Sequence, residues 1–381
     1  MQLRKLDTTQ HNLTRALWES VFAEDTRAFL DYYYFIKTRE NEIYVIEEEG
    51  GIRSMLQLNP YMVRAEGREF LCHYIIGVAT EEAYRKRGYM RMLLCRSMQD
   101  MYSRKEPFTY LMPAAEAIYT PYDFRFVYAQ NQTEISGDYL APELEVTEAG
   151  MGDAPEMAAF FNQYFKDTWQ VYAVHSEQYY QTMILEQQSE NGGVALMRNQ
   201  GQIVGLFAYG SEGELEVREP LYLPEYREEF KRAVHKLKTK GQNTVKIYAC
   251  ASDLREEGCV KQEPIIMARI LHLETFFQTL QVRADQELDC SFAVLDAFLP
   301  QNSRIWRLQC KNDQEKNRSV CVSETEDSEG VLPIAVLTSL LFGYQNISEI
   351  KSQEGVILSE RLEKELGKIQ PLKHIFLNEI V

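Results

Sequence analysis

The sequence predicts an α/β (α+β) protein of three units, the first two of one kind. Helical and extended periodicities alternate through roughly the first 140 residues. The same order returns from about Glu145. Beyond about residue 283, consecutive strand-like segments are followed by helices. At 381 residues the chain is long enough for each unit to bury a core of its own.

In the first unit, Leu13 to Phe35 reads as helix, and "EIYVIEEEGGIRSMLQLNPYMV" as strand, turn at Gly50-Gly51, strand. "REFLCHYIIGVAT" is the next strand. After it Met90, Leu93, Leu94, Ser97, Met98 and Met101 recur at i, i+3, i+4, i+7, i+8 and i+11, the core-facing stripe of an amphipathic helix. "FTYLMPA" is a further strand.

The second unit reads as helices in "APEMAAFFNQYFKDTW" and "SEQYYQTMILEQQ", then three strands in "GVALMRNQGQIVGLFAYGSEGELEVREPLY". Helix "YREEFKRAVHKLKTKG" and strand "NTVKIYAC" complete an order that echoes the first unit, so a duplicated fold is expected. In the third, "CSFAVLDAFLP", "SRIWRLQC" and "RSVCVSE" are strands. "VLPIAVLTSLLFG" is a helix with Gly343 in a C-cap position, and "SERLEKELG" is a second helix. "HIFLNEIV" is a closing strand or tail in which Ile375 and Leu377 are anchors. The expected boundaries are 1–142, 143–282 and 283–381.

A net charge of −16 argues against nucleic acid, which requires a basic face, and suits a cationic small molecule. No apolar run approaches the ~18 residues of a membrane span, and the polar start "MQLRKLDTTQH" is unlike a secretory signal. Seven scattered cysteines point to reduced thiols in a cytoplasm, with Cys95 structural. Without H-x-x-H, H-E-x-x-H or C-x-x-C spacing, no metal site is expected.

The chemistry-bearing motif is Arg85-Lys86-Arg87-Gly88, between a strand and a helix. A helix N-terminus offers unpaired N–H groups and partial positive charge. Gly88 lets the backbone approach a ligand, and the flanking cations complete a site for a pyrophosphate. Neither G-x-x-x-x-G-K-[ST] nor G-x-G-x-x-G occurs. The second unit has "ELEVREPLYLPEYREEF" instead, where Glu214, Glu216 and Glu219 repel a phosphate and Pro220 and Pro224 disturb the donors, so one cofactor site is expected.

"VATEEAYRKRGYMRMLL" resembles the R-x-x-G-x-[GA] signature of the GNAT acetyltransferase superfamily, with Met90 at the small-residue position. "PAAEAIYTPYDFRFVY", "FAEDTRAFLDYYY", "LNPY", "EPIIMARIL", "LPIAVLTSLLFGY" and "FLNEIV" are similar to the enhanced-intracellular-survival (Eis) family across essentially the full chain. The resemblance implies tandem GNAT domains, the second degenerate, followed by a sterol-carrier-protein-like domain. It implies an acetyl-CoA-dependent N-acetyltransferase working on primary amines by direct transfer in a ternary complex, assembled as a homo-oligomer, a hexamer.

By the same resemblance the backbone of Val78, Ala79 and Thr80 holds the pantetheine. Arg85, Lys86, Arg87, Gly88, Tyr89, Met90 and Arg91 hold the pyrophosphate. Tyr119 is the donor to the CoA sulfur, and the chain-terminal carboxylate of Val381 is the base. Glu24, Asp25, Phe22 and Glu379 bind the acceptor, with Trp18 and Tyr32 to Tyr34 as walls. The acceptor stays open among an aminoglycoside-like polyamine, a small amine and a lysine. The rival reading is a catalytically silent lipid-binding or scaffold protein, with "PIAVLTSLLF" either lining a lipid groove or packing the sheet. A relative using aminoacyl-tRNA is disfavoured by the acidic charge.

Overall fold

The computed structural model describes residues 1–136, 139–210, 215–238, 244–249, 254, 261–284, 286–311 and 320–379. The first unit runs β1 (Gln2–Lys5), α1 (Arg15–Val21), α2 (Arg27–Phe35), β2 (Glu42–Glu48), β3 (Gly51–Ala65), β4 (Arg68–Thr80), α3 (Tyr89–Ser103), β5 (Phe108–Leu111), α4 (Glu116–Tyr119) and β6 (Arg125–Ser136). The single helix expected from Leu13 to Phe35 is two helices. The chain leaves helical geometry at Phe22, and Thr26 restarts it as an N-cap, its hydroxyl accepting from Phe29 N–H at 3.1 Å. The expected amphipathic stripe is present: Leu93, Leu94, Ser97, Met98 and Met101 are buried in α3, and Met90 packs half-buried against the same core. Strand β1 escaped the sequence reading because it is a four-residue edge strand of polar character, held by Gln2↔Glu47 pairing and the Arg4–Glu47 ion pair at 2.7 Å.

The second unit repeats the order with β7 (Glu145–Glu148), α5 (Ala154–Tyr164), β8 (Val171–Ala173), α6 (Glu177–Ser189), β9 (Gly193–Asn199), β10 (Gln202–Gly210), β11 (Glu216–Tyr222), α7 (Arg227–Leu237), β12 (Thr244–Tyr248) and β13 (Lys261–Ile270). Its first helix is shorter than expected, ending at Tyr164 rather than Trp169.

Both units share one sheet, in the order β1-β2-β3-β4-β5-β13-β6-β12-β11-β10-β9-β7. From either end the sequence of strands is the same, with β4·β5 and β11·β12 both parallel. The duplication expected from element order is therefore visible in the topology. The last strands are exchanged: β13 of the second unit pairs with β5 of the first, and β6 of the first pairs with β12 of the second. A local pseudo-twofold axis passes between β13 and β6, which are antiparallel to each other.

The third unit has a five-stranded sheet, ordered Cys321–Glu324, Ile305–Cys310, Leu288–Leu295, Gly330–Pro333, Ile357–Leu358. The segment expected to be wholly helical begins as the strand Gly330–Pro333, and only Ile334–Leu341 is helix. All eight of those helical residues are buried. The helix packs into the core shared with the first unit, and Phe342 meets Phe108 edge-on at 5.2 Å. Gly343 takes φ +68° just past the helix end, as a C-cap glycine should. The tail strand Ile375–Phe376 pairs with β8, which pairs with β3, so the end of the chain returns to the first unit. Ile375 and Leu377 are buried there as anchors. Val381 and Ile380, like Glu214, lie outside the described residues.

Candidate active site

Strand β4 slips one residue against β3 between the pairs Gln57↔Ile76 and Met55↔Ala79. The bulge is made at Gly77, whose φ is +58°. A Cβ there would stand 2.6 Å from Cζ3 of Trp18, so only glycine allows the indole to close on the strand. Between β4 and β5 the only register pair is Tyr74↔Tyr110. Beyond it β4 runs on from Ile75 to Thr80 without a β5 partner, and a cleft opens between two parallel strands.

That edge leads into the cationic turn. Lys86 (φ +63°) and Gly88 (φ +81°) are both left-handed, an alternation that turns successive N–H groups toward one point. Gly88 is the N-cap of α3 and no side chain caps it. Met92 N–H is the first to bond back, to Gly88 C=O at 3.1 Å, which leaves the N–H groups of Tyr89, Met90 and Arg91 without helical acceptors. Nothing stands within 4 Å of the missing Cβ of Gly88. Arg85 Nε donates to Thr80 C=O at 3.2 Å and Arg87 lies 4.6 Å over the Tyr84 ring; Lys86 is exposed. Arg91 is turned onto Phe298 of the third unit, at 5.0 Å. The Tyr89 phenol donates to Glu48, so its contribution to an anion is its backbone.

Tyr119 ends α4, buried and edge-on to Phe124 at 5.9 Å. Burial pushes its phenol up to about 12, which keeps it protonated at neutral pH. Among the described residues no hydrogen bond occupies that hydroxyl, so its aim depends on the backbone beneath it. All three units hold that backbone. Arg125 donates to the carbonyls of Thr120 (3.1 Å) and Phe124 (2.7 Å). Arg269, on β13 and fully buried, donates to Tyr122 C=O at 3.0 Å and pairs with Asp296 at 2.6 Å. Asp296 also accepts from Phe298 N–H, Leu299 N–H and Asn302 Nδ2, so the buried pair is well satisfied.

A cavity of about 540 Å³ lies between the first two units, close to the pseudo-twofold strands. Its carboxylates are Glu40, Glu69, Glu186, Glu216, Glu219 and Glu379, against Lys37 and Arg218. Burial raises Glu186 to about 7. Burial first, then the charge of Glu219, raises Glu379 to about 8. Lys37, 3.0 Å from the Tyr61 hydroxyl, is lowered by burial. Met112, on the cavity wall, donates its N–H to the Tyr74 hydroxyl at 3.3 Å. Tyr74 in turn feels both Tyr119 and Glu379 electrostatically. The cavity thus adjoins the point where β4 and β5 part.

The structure divides the residues expected to bind the acceptor. Glu379 lies in the cavity, buried. Asp25 instead accepts from Trp18 Nε1 at 2.6 Å and Phe22 sits 5.3 Å from the same indole, both beside the Gly77 bulge. Glu24 is exposed. Trp18, Tyr33 and Tyr34 pack into a core of their own with Phe29, while the Tyr32 hydroxyl reaches Glu186 at 3.3 Å. Sequence reasoning missed Lys37, Tyr61, Tyr179 and Glu186, because a wall shared by two units leaves no local periodicity. It read Glu219 only as a repellent of phosphate.

The second unit reproduces the bulge without the cleft. β11 slips against β10 between Ala208↔Arg218 and Leu206↔Leu221, so Glu219 stands where Gly77 does, at φ +50°. β11 and β12 pair at Glu216↔Lys246, Val217↔Ile247 and Arg218↔Tyr248, which closes the two positions that are open in the first unit. Before α7 the turn is Pro224-Glu225-Tyr226, with no cation.

Residues 2–127 match the family model of the acetyltransferase (GNAT) domain, and residues 273–376 match the sterol carrier protein domain. No curated protein matches the chain. Among solved structures, a probable N-acyltransferase from Enterococcus faecalis V583 superposes with TM-score 0.82 at 17% identity, over 100% of this chain and 99% of that one. A GCN5-related N-acetyltransferase from Anabaena variabilis gives 0.80 at 15%, over 100% of both chains. Eis1 from Mycobacterium abscessus gives 0.71 at 12%, over 100% of both. The first unit is therefore a GNAT acetyltransferase domain, the C-terminal part a sterol carrier protein domain, and the whole chain has the Eis-like fold that the sequence resemblance implied.

Proposed function

We propose that this GNAT N-acetyltransferase takes acetyl from acetyl-CoA and places it directly on a primary amine of a cationic acceptor. The observation that carries the reading is the edge of β4, which runs free of β5 from Ile75 to Thr80 and leads into the uncapped start of α3, while Tyr74 at the other end of that edge accepts from Met112 on the wall of the acidic cavity. When bound, acetyl-CoA supplies an activated acyl thioester. The N–H and C=O groups of Val78, Ala79 and Thr80 offer a strand edge to its pantetheine arm. The nest at Lys86–Gly88, the free N–H groups of Tyr89, Met90 and Arg91, and Arg85 and Arg87 offer donors to its pyrophosphate. Tyr119, protonated at neutral pH, gives its proton to the departing sulfur. The cavity's excess of carboxylate attracts an ammonium, with Asp25, Phe22 and Trp18 flanking the bulge.

The closed cleft and cation-free turn of the second unit support one cofactor site per chain, and domains at 1–142, 143–282 and 283–381 fit this division of labour. The five described cysteines form no disulfide, which suits a reducing cytoplasm; a hexamer follows from the family resemblance alone.

The test is acetyl-CoA-dependent thiol release across an amine panel of an aminoglycoside, 1,4-diaminobutane and a lysine peptide, alongside calorimetric binding of acetyl-CoA. Turnover with at least one amine is expected. Binding without turnover on any of them favours the silent scaffold instead.

A further inference from the structure

Only 5% of Glu379 is exposed, and its Oε2 finds no hydrogen-bond partner among the described residues. The Tyr110 hydroxyl, likewise buried without a well-formed hydrogen bond, is close enough to favour the ionised form, and an entering ammonium would give the carboxylate the further donor it lacks. We propose that Glu379 is the proton acceptor for the incoming amine, and that Glu219, displayed by the bulge of the second unit, is the residue that holds it ready. The proposal rests on the acetyl-transfer reading above.

Titratable groups from six elements face Glu379 or share its cavity. Lys37 comes from the turn after α2, Tyr61 from β3, Tyr74 from β4, Tyr110 from β5, Tyr179 and Glu186 from α6, and Glu219 from β11. Lys37 is the cation among these, with its hydrogen bond going to Tyr61, and Arg218, the other cation lining the cavity, pairs with Glu190 at 2.9 Å. Tyr110 and Lys37 favour the ionised form of Glu379, and burial and the charge of Glu219 outweigh them. The Glu219 side chain is fixed by His175 Nε2 at 2.6 Å, Tyr179 at 3.2 Å and Asn378 Nδ2 at 3.4 Å. Asn378 adjoins Glu379 and is tied to β6 by Gln130 at 2.5 Å. The second unit therefore sets both the place and the charge environment of the acid.

The proton balance closes with groups already present. An ammonium entering the cavity gives one proton to the Glu379 carboxylate and becomes a free amine. Its lone pair forms the new C–N bond at the thioester carbonyl, the C–S pair leaves with sulfur, and sulfur takes the proton of Tyr119. The surplus N–H proton of the acetylated nitrogen returns Tyr119 to its phenol form through water, and Glu379 gives its proton to solvent before the next turnover. The chain-terminal carboxylate, with an ordinary value of roughly 3.5, is a much weaker base than a buried acid near 8.

The sign of the pH dependence follows. Glu379 works when ionised, so kcat/KM rises as pH climbs through its value. Glu219 raises that value by like-charge repulsion, so Glu219→Gln moves the acid limb to lower pH.

The experiment is the pH profile of the full-length protein with the best amine of the panel. Glu379→Gln is expected to lower kcat about 100-fold or more, to abolish the acid limb and to keep acetyl-CoA affinity. Glu219→Gln is expected to shift the limb down by about one pH unit. Glu379→Gln with the wild-type limb and rate, or Glu219→Gln with an unmoved limb, overturns the proposal. So does loss of the limb on deleting Val381 while Glu379→Gln retains it. If Glu379→Gln does not fold, the Glu219→Gln limb decides. A wild-type protein that acetylates no amine refutes the transfer reading itself, a different result from any of these.

Discussion

At Gly77 the backbone of β4 is left-handed at φ +58°, and at Glu219, its counterpart in β11, φ is +50°. The bulge has the same shape in both units. In the first, a missing side chain admits the Trp18 ring, and the strand then parts from β5 after one register pair. In the second, a carboxylate occupies the position, and the strand stays zipped to β12 for two residues more. A left-handed glutamate costs about 1–2 kcal/mol of backbone strain, offset here by hydrogen bonds from His175 and Tyr179. The difference teaches that duplication preserved the backbone while the side chains diverged: the first unit keeps an open cleft, and the second has become a wall of the acidic cavity.

Four variants probe that contrast. The largest effect is expected from Tyr119→Phe, since only the first unit is assigned chemistry. It should lower kcat by about 10²–10⁴-fold with acetyl-CoA affinity nearly intact, read by thiol release and calorimetry. Equal activity would move the chemistry elsewhere.

Gly77→Glu copies the second unit's residue into the first. Because Glu219 tolerates this backbone conformation, the damage should come from the Cβ that meets Trp18. A loss of transfer of about 100-fold and of roughly 2–4 kcal/mol in unfolding free energy is expected, checked by denaturant titration beside the activity assay. A stable, active Gly77→Glu would mean that the two bulges are interchangeable.

Reversing Arg85, Lys86 and Arg87 to glutamate makes the first turn anionic, with three acids where the second unit's turn has Glu225. KM for acetyl-CoA should rise roughly 10-fold or more, with the wild-type penalty from added salt largely gone in the variant. A smaller change, roughly several-fold in kcat with acetyl-CoA affinity unchanged, is expected for Asp296→Asn. It leaves buried Arg269 with only the more distant Asp123 carboxylate, at 3.8 Å, as counter-charge and loosens the turn under Tyr119. In a Tyr119→Phe background that kinetic loss should vanish, which a double-mutant cycle reads directly.

Local periodicity made much of this legible. The strand from Arg68 to Thr80, the α3 stripe and the Arg85–Gly88 turn each depend on neighbours in sequence, and all were readable from it. The duplicated element order was readable for the same reason. What escaped was non-local. Nothing in the pattern of Arg125–Ser136 or Lys261–Ile270 says that these strands exchange sheets, because an apolar alternation does not name its partner. The cavity escaped too, since Lys37, Glu186 and Glu219 lie far apart in sequence, on two units, and line one wall only in the folded chain. The break at Phe22–Thr26 was within reach, as Thr26 is an ordinary N-cap residue. Glu379 was readable as an acid near the end of the chain, but not as a buried one, because its burial depends on β8 and the tail strand pairing.

Calorimetric titration of the full-length chain with acetyl-CoA tests the single-cleft account most directly. One site per chain is expected, lost or strongly weakened when Arg85, Lys86 and Arg87 are reversed. Two sites per chain, or one that survives the reversal unchanged, would contradict it.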